Sequence, residues 1–232
     1  MNILITGAGR GLGLELAAEC LERGHHVLAG LRRPDEAGEA FRALASKHGE
    51  RLEAVRLDVS DEPGIAELAA RLSGQGRPLG AIVNNAAVLE ARETPIERLD
   101  LAFMESTMDI NLYGPMRVAK HLLPLLTELD AALVNISSEA GSLTNAYPGD
   151  YPYTLSKAAM NLLTEQLARV LAERGAIALS VHPGWMRTDM GGEQAKLDPR
   201  ESARGIADLI ERRIVVPEGF RFVDYKGRPM AI

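Results

Sequence analysis

The sequence predicts an α/β fold, a doubly wound, mainly parallel sheet of about seven strands with helices on both faces. Three observations predict it. Short apolar runs alternate with longer stretches whose apolar residues recur at helical spacing. The runs are apolar at consecutive positions, as strands buried on both faces must be. Glycines, amides and hydroxyls cluster just after the runs, at the carboxyl ends of strands where such sheets bind ligands. With 232 residues, 46% of them hydrophobic and 25% charged, the chain is expected to form one domain over residues 1–232 with a sizeable core.

Met1 to Thr6 is a β-branched, apolar run broken at Gly7 and reads as the first strand. Leu12, Leu16, Ala17 and Leu21 form one stripe of a helix that runs to Arg23 and stops at Gly24. Val27 to Leu31 reads as strand two, Glu36 to His48 as a helix stopped at Gly49, and Leu52 to Leu57 as strand three. Asp61 to Leu72 is a helix whose acidic first turn complements the helix dipole. Ala81 to Val83 is strand four. Leu101 to Thr127 has a helical pattern throughout, with Pro115 expected to bend it and Pro124 near its end. Ala132 to Ile136 is strand five, Tyr153 to Glu173 a helix, and Ile177 to Val181 strand six. Pro199 to Arg213 opens with Pro and closes with two arginines, as a helix should. A seventh strand is expected around Phe220 to Val223.

Composition excludes several function classes. A net charge of −6 with no basic run argues against a nucleic-acid or anionic-membrane partner. Cys20 is the only cysteine, so no intramolecular disulfide or thiolate metal cluster can form. Among Leu16, Ala17 and Leu21 it reads as a small buried apolar residue. His25, His26, His48, His121 and His182 show no metal-ligand spacing, and no metal is expected. The N-terminus has no basic segment followed by an apolar one, and no apolar run approaches ~18 residues, so a cytoplasmic protein is expected.

The strand ends carry the chemistry. After strand one comes Thr6-Gly7-Ala8-Gly9-Arg10-Gly11-Leu12-Gly13. Glycines there permit a tight turn and let backbone N–H groups approach a pyrophosphate at the positive end of the next helix, the signature of a Rossmann-type dinucleotide site. Strand two ends in Arg32-Arg33 with no acid between Val27 and Arg33. An acid would grip the ribose hydroxyls of NAD, whereas arginine accommodates the extra phosphate of NADP, so Arg32, with Arg10 as a second donor, favours NADP over NAD. Strand three ends Leu57-Asp58-Val59, where Asp58 is placed either to accept from an adenine amino group or to cap the helix beginning near Asp61. Asn84-Asn85-Ala86-Ala87 suits backbone passing close to a ribose and is also ordinary turn chemistry. Asn111 interrupts the apolar residues Met108, Ile110 and Leu112, either as glue in a bent helix or as part of a hydrogen-bond relay. Strand five runs into Ser137-Ser138, and strand six into His182-Pro183-Gly184-Trp185-Met186-Arg187-Thr188.

Tyr153 and Lys157 lie four residues apart at the start of an apolar-periodic run, so on a helix they share one face. A free phenol ionises near pH ~10, and an adjacent fixed cation is expected to lower that value and make the pair useful for proton transfer.

Together these residues resemble the short-chain dehydrogenase/reductase family over nearly the whole chain. The resemblance rests on Thr6-Gly7-x3-Gly11-x-Gly13, Asp58, Asn84-Asn85-Ala86, Asn111, Ser138, Tyr153-x3-Lys157 and Pro183-Gly184, in the family's order. The wording from His182 to Gly192, followed by Pro199-x2-Ser202, is similar to the C-factor-like and sniffer-like carbonyl reductase branch. Ala87 stands where the family usually has glycine, and the interval from Ser138 to Tyr153 is longer than the family's, with Gly149-Asp150 as the extra loop residues. Ser138 is taken over Ser137 because Glu139-Ala140-Gly141 follows it.

The resemblance implies an NADP(H)-dependent oxidoreductase that transfers hydride between nicotinamide and a carbonyl or alcohol of a small, partly apolar substrate. It implies catalytic roles for Asn111, Ser138, Tyr153 and Lys157: Tyr153 as general acid, Ser138 as hydrogen-bond donor to the substrate oxygen, Lys157 on the nicotinamide ribose, Asn111 holding a water between Lys157 and solvent. Cofactor contacts are implied at Gly7, Arg10, Gly11, Leu12, Gly13, Arg32, Asp58, Val59, Asn85, Ala86, Tyr153, Lys157, Pro183, Gly184, Met186 and Thr188. Substrate contacts are expected from the loops 143–152 and 187–198. A homodimer, if formed, would pair the fourth and fifth helices. The alternative is a non-catalytic nucleotide-binding signalling protein of the same fold, against which the intact Asn111, Ser138, Tyr153 and Lys157 set speaks. A nucleotide-sugar epimerase or dehydratase would use the same Tyr/Lys pair but needs a longer region after Arg213.

Overall fold

The computed structural model describes residues 1–219 and 221–232. Its strands are β1 (Asn2–Thr6), β2 (His26–Leu31), β3 (Leu52–Arg56), β4 (Ala81–Asn84), β5 (Ala132–Ile136), β6 (Ile177–His182) and β7 (Phe222–Asp224). Its helices are α1 (Gly11–Glu22), α2 (Glu39–His48), α3 (Glu62–Gly74), α4 (Ala102–Met108), α5 (Gly114–Leu122), α6 (Tyr151–Ala172) and α7 (Pro199–Ile210). The strands form one sheet in the order β3-β2-β1-β4-β5-β6-β7, every neighbouring pair parallel. Winding runs outward from β1 to β3, then resumes on the other side at β4. That reversal opens a crevice between the carboxyl ends of β1 and β4.

Period-two alternation sends Ile3, Ile5, Val27, Val83, Val134 and Val181 to one face, where they pack against Leu16 of α1 and Ile206 of α7. Leu4, Leu28, Ile82 and Leu133 go to the other, against Leu68 of α3, Val118 of α5 and Leu171 of α6. Burying each such side chain is worth roughly 1.5–3 kcal/mol, so the sheet is held from both sides. Cys20 lies in this core, and burial raises its thiol to about 12, which leaves it unreactive at neutral pH. Among the described residues no helix is long and apolar enough to cross a membrane.

Three expectations need correction. The single helix expected over 101–127 is two: α4 gives way to a π-helical turn at Asp109–Tyr113 before α5 begins. The break falls one turn before Pro115 rather than at it. Proline has no N–H for the carbonyl four residues earlier, which is that of Asn111, so the perturbation lands upstream. The helix expected from Glu36 starts at Glu39, because Pro34–Glu36 forms a separate 3₁₀ turn. The helix expected to reach Arg213 stops at Ile210, and Arg212 takes a positive φ of 56°. The start of the seventh strand at Phe220 lies outside the described residues; the strand itself covers Phe222–Asp224.

Candidate active site

The glycine loop joins β1 to α1 and is fixed from below by Thr6. The Thr6 hydroxyl accepts from the N–H groups of Asn85 and Ala86, each at 3.0 Å, and so ties β1 to the end of β4. Asn85 returns the contact, its Nδ2 donating to the carbonyls of Thr6 at 2.9 Å and Gly7 at 3.1 Å. The Asn85 amide is therefore a clamp on the loop. A Cβ on Gly13 would sit 2.4 Å from the Gly7 carbonyl oxygen and 2.6 Å from Asn85 Nδ2, so only glycine fits there. Gly13→Ala is expected to destabilise the chain by roughly 1–3 kcal/mol, read as a lower urea midpoint at unchanged slope. Gly11 takes a φ of +54°, with the Thr188 side chain lying over it, and no side chain caps the start of α1. Leu12 is buried against the sheet and anchors the helix. The N–H groups of the first turn are thus left for an anion, which fits the pyrophosphate of a dinucleotide.

Beside the loop, Arg32 is exposed and makes no ion pair among the described residues, whereas Arg33 pairs with Glu36 at 2.8 Å. Arg10 does not stand free: it pairs with Asp189 of the segment after β6. Asp58 does not cap α3; Asp61 does, accepting from Gly64 N at 3.1 Å. Asp58 instead accepts from the N–H and hydroxyl of Ser60 at 3.0 and 2.7 Å. Burial works against its charge, but those bonds and the Arg32 and Arg56 cations hold it below the usual carboxylate range. Val59 packs against Gly114, where an added Cβ would meet it at 2.9 Å. Pro183 is buried and Gly184 has a φ of +82°, turning the chain so that Met186 bridges Leu197.

α6 brings Tyr153 and Lys157 together as its spacing requires. The Lys157 Nζ lies 5.4 Å from the centre of the Tyr153 ring. Only 2% of Lys157 is exposed, and its ammonium donates to the Ile136 carbonyl at 2.7 Å. Burial lowers it to about 8. Tyr153 shifts the other way. Burial raises the phenol above its ordinary value, with the Asp150 carboxylate adding to the rise and the Ser138 hydroxyl and Arg92 cation opposing it. The expectation that Lys157 lowers the phenol is therefore not met: the buried cation is itself destabilised, and desolvation dominates both groups.

The serine pair separates by strand alternation. Ser137 turns toward α6 and donates to Asn161 Oδ1 at 2.7 Å, while the Ser138 hydroxyl faces the Tyr153 phenol. Ser138 Oγ also accepts from Ala140 N at 3.2 Å, which leaves its own proton to donate. Asn111 is fully buried on the π turn. Its Oδ1 accepts from Val88 N at 2.9 Å, and its Nδ2 donates to Val88 O at 2.9 Å and Ser156 Oγ at 3.1 Å. Both amide hydrogens are used within the protein, so this side chain has none to give the expected water. It clamps the segment after β4 to the first turn of α6.

Sequence reasoning missed Asn161, the acceptor for both Ser137 and Ser180. The signal was present, since Asn161 is four residues beyond Lys157 and shares its face. Within the expected substrate loop 143–152, Asp150 accepts from the Tyr147 hydroxyl at 3.2 Å and from Glu93 N at 2.8 Å, and it is the Glu93 segment that sequence reasoning missed. Ala91, Glu93 and Asp150 all adopt positive φ there, a cluster of backbone strain.

A family model described as short chain dehydrogenase matches residues 1–198. The C-signal protein of Myxococcus xanthus is 36% identical over 152 residues, covering 65% of this chain and 90% of that protein. Among solved structures, the carbonyl reductase Sniffer of D. melanogaster is 30% identical with a TM-score of 0.92, covering 100% of this chain and 99% of that one. An NADPH-bound carbonyl reductase from chicken fatty liver is 31% identical with a TM-score of 0.88, covering 100% and 98%. The family resemblance and its finer C-factor-like and sniffer-like wording are both matched by these relatives.

Proposed function

The chain belongs to the short-chain dehydrogenase/reductase family, and from that membership we propose that it reduces the carbonyl of a small, partly apolar molecule with NADPH, Tyr153 acting as general acid. One observation carries the reading: α6 sets the Tyr153 ring one helical turn from the buried Lys157 ammonium, 5.4 Å from Nζ to the ring centre, with Ser138 beside the phenol. NADPH supplies the hydride when bound. Ser138, its lone pair taken by Ala140 N–H, donates to the carbonyl oxygen as negative charge develops on it. Tyr153 donates a second hydrogen bond and then its proton; a phenol raised by burial still carries that proton at neutral pH. Lys157 would hold the nicotinamide ribose.

NADP is supported by the NADPH-bound relative, by the exposed Arg32 without an ion-pair partner, and by the absence of an acid at the end of β2. Tyr147 on the loop 143–152, Met190 on the loop 187–198 and Trp185 just before the latter are exposed and would supply an apolar wall for the substrate. The loss of NADPH absorbance with a panel of aldehydes, ketones and quinones tests the reading, run in parallel with NADH. Turnover with NADPH at least tenfold faster than with NADH is expected. A chain that binds NADPH but turns over none of the panel would instead be a nucleotide-binding signalling protein.

A further inference from the structure

His182, the last residue of β6, does no work in the mechanism above, yet it touches the turn that carries Ser138. Its Nδ1 lies 3.1 Å from the backbone nitrogen of Glu139, whose N–H points at it. That N–H belongs to the residue directly after Ser138. The next two are spent within the turn: Ala140 N donates to Ser138 Oγ at 3.2 Å and Gly141 N to Ser138 O at 2.9 Å. From outside, the far end of the turn is held by Asn161, whose Nδ2 donates to the Gly141 carbonyl at 3.3 Å, while the N–H next to Ser138 is held by an imidazole. To accept, the ring must be neutral with its proton on Nε2, which faces the Glu139 carboxylate at 4.0 Å.

We infer that His182 is a positioning residue, whose Nδ1 holds the Glu139 N–H and so fixes where Ser138 presents its hydroxyl to the substrate oxygen. The inference rests on the carbonyl-reductase reading, because it concerns the donor that the reaction needs. Protonating the ring would place an N–H against an N–H and release the turn. The groups facing the imidazole are Glu139 from the turn and Asp224 from β7, and the latter is already paired with Arg228. On α6, Lys157 directs its ammonium to Ile136; after β7, Tyr225 donates its backbone N–H to the His182 carbonyl and its phenol to Glu201. Burial favours the neutral ring and outweighs the two carboxylates, so release falls below the ordinary imidazole range.

The test compares wild type with His182→Asn, whose Oδ1 can accept in the place of Nδ1, and His182→Phe, which cannot. Phe is expected to lower kcat about 10- to 100-fold, the loss a donor misplaced by about 1 Å would cause, with NADPH affinity unchanged. Asn is expected to stay within about threefold of wild type at neutral pH. Wild type should lose kcat as pH falls through the His182 titration, and the Asn variant should not. In the ligand-free protein, the Glu139 amide resonance should move with the same midpoint. Full kcat in the Phe variant, an acid limb retained by the Asn variant, or a Glu139 amide blind to the imidazole would each overturn the proposal. If Phe prevents folding, the acid limb of Asn against wild type decides. A wild type that reduces no carbonyl sinks the functional reading itself, which is a separate outcome.

Discussion

Tyr153→Phe is expected to slow carbonyl reduction roughly 10²–10⁴-fold, the usual worth of a positioned general acid, with NADPH affinity and thermal stability little changed. The ring stays: it stacks beside the Lys157 ammonium at 5.4 Å through its face, which phenylalanine retains. What goes is the hydroxyl, whose neighbours are the Ser138 hydroxyl, the Asp150 carboxylate and the Arg92 cation. Because burial holds the phenol's proton on, the reduction rate should not decline through tyrosine ionisation near neutrality. Alcohol oxidation needs the phenolate and should rise with alkaline pH. Single-turnover rates of both directions in wild type and variant measure this, and a Phe variant as fast as wild type with NADPH bound would remove Tyr153 from the chemistry.

The sheet was legible because its strands announce themselves: Ile3-Leu4-Ile5 or Ala132-Leu133-Val134 can be soluble only if covered on both sides. The pairing of Tyr153 with Lys157 was legible for the equally local reason that helical spacing fixes it. What stayed hidden depends on residues distant in sequence. The π turn at Asn111 needs Val88 and Ser156 to hold it, and neither is a neighbour along the chain. Arg10 reads as a free cation until the chain returns with Asp189. The phenol's shift was misjudged because spacing shows which charges are near but not how little water reaches them. The resemblance points to Ser138, and what the chain order hides is that Asn135 and Ser137 both turn toward α6, to Thr164 and Asn161.

Lys157→Met should abolish most activity and yet leave a more stable protein. The ammonium is buried, bonded to one carbonyl and paired with no carboxylate among the described residues, so the fold holds a charge it does not neutralise. Its fall from 10.5 to about 8 corresponds to a cost of about 3 kcal/mol at neutral pH. Below about 8 the folded and unfolded chains both bind the proton and that cost is felt in full. Between there and the ordinary lysine value the unfolded chain binds more protons, so the group's contribution to stability rises with pH. Methionine removes the cost but strands the Ile136 carbonyl, returning about 1–3 kcal/mol. A net gain on the order of 1 kcal/mol at pH 7, shrinking by pH 9, is expected from urea unfolding. A variant less stable at pH 7 and equally so at pH 9 would mean that the ammonium is satisfied where it lies. The predicted combination, stability up and turnover down by at least 10², is that of a charge kept for chemistry against the interest of the fold.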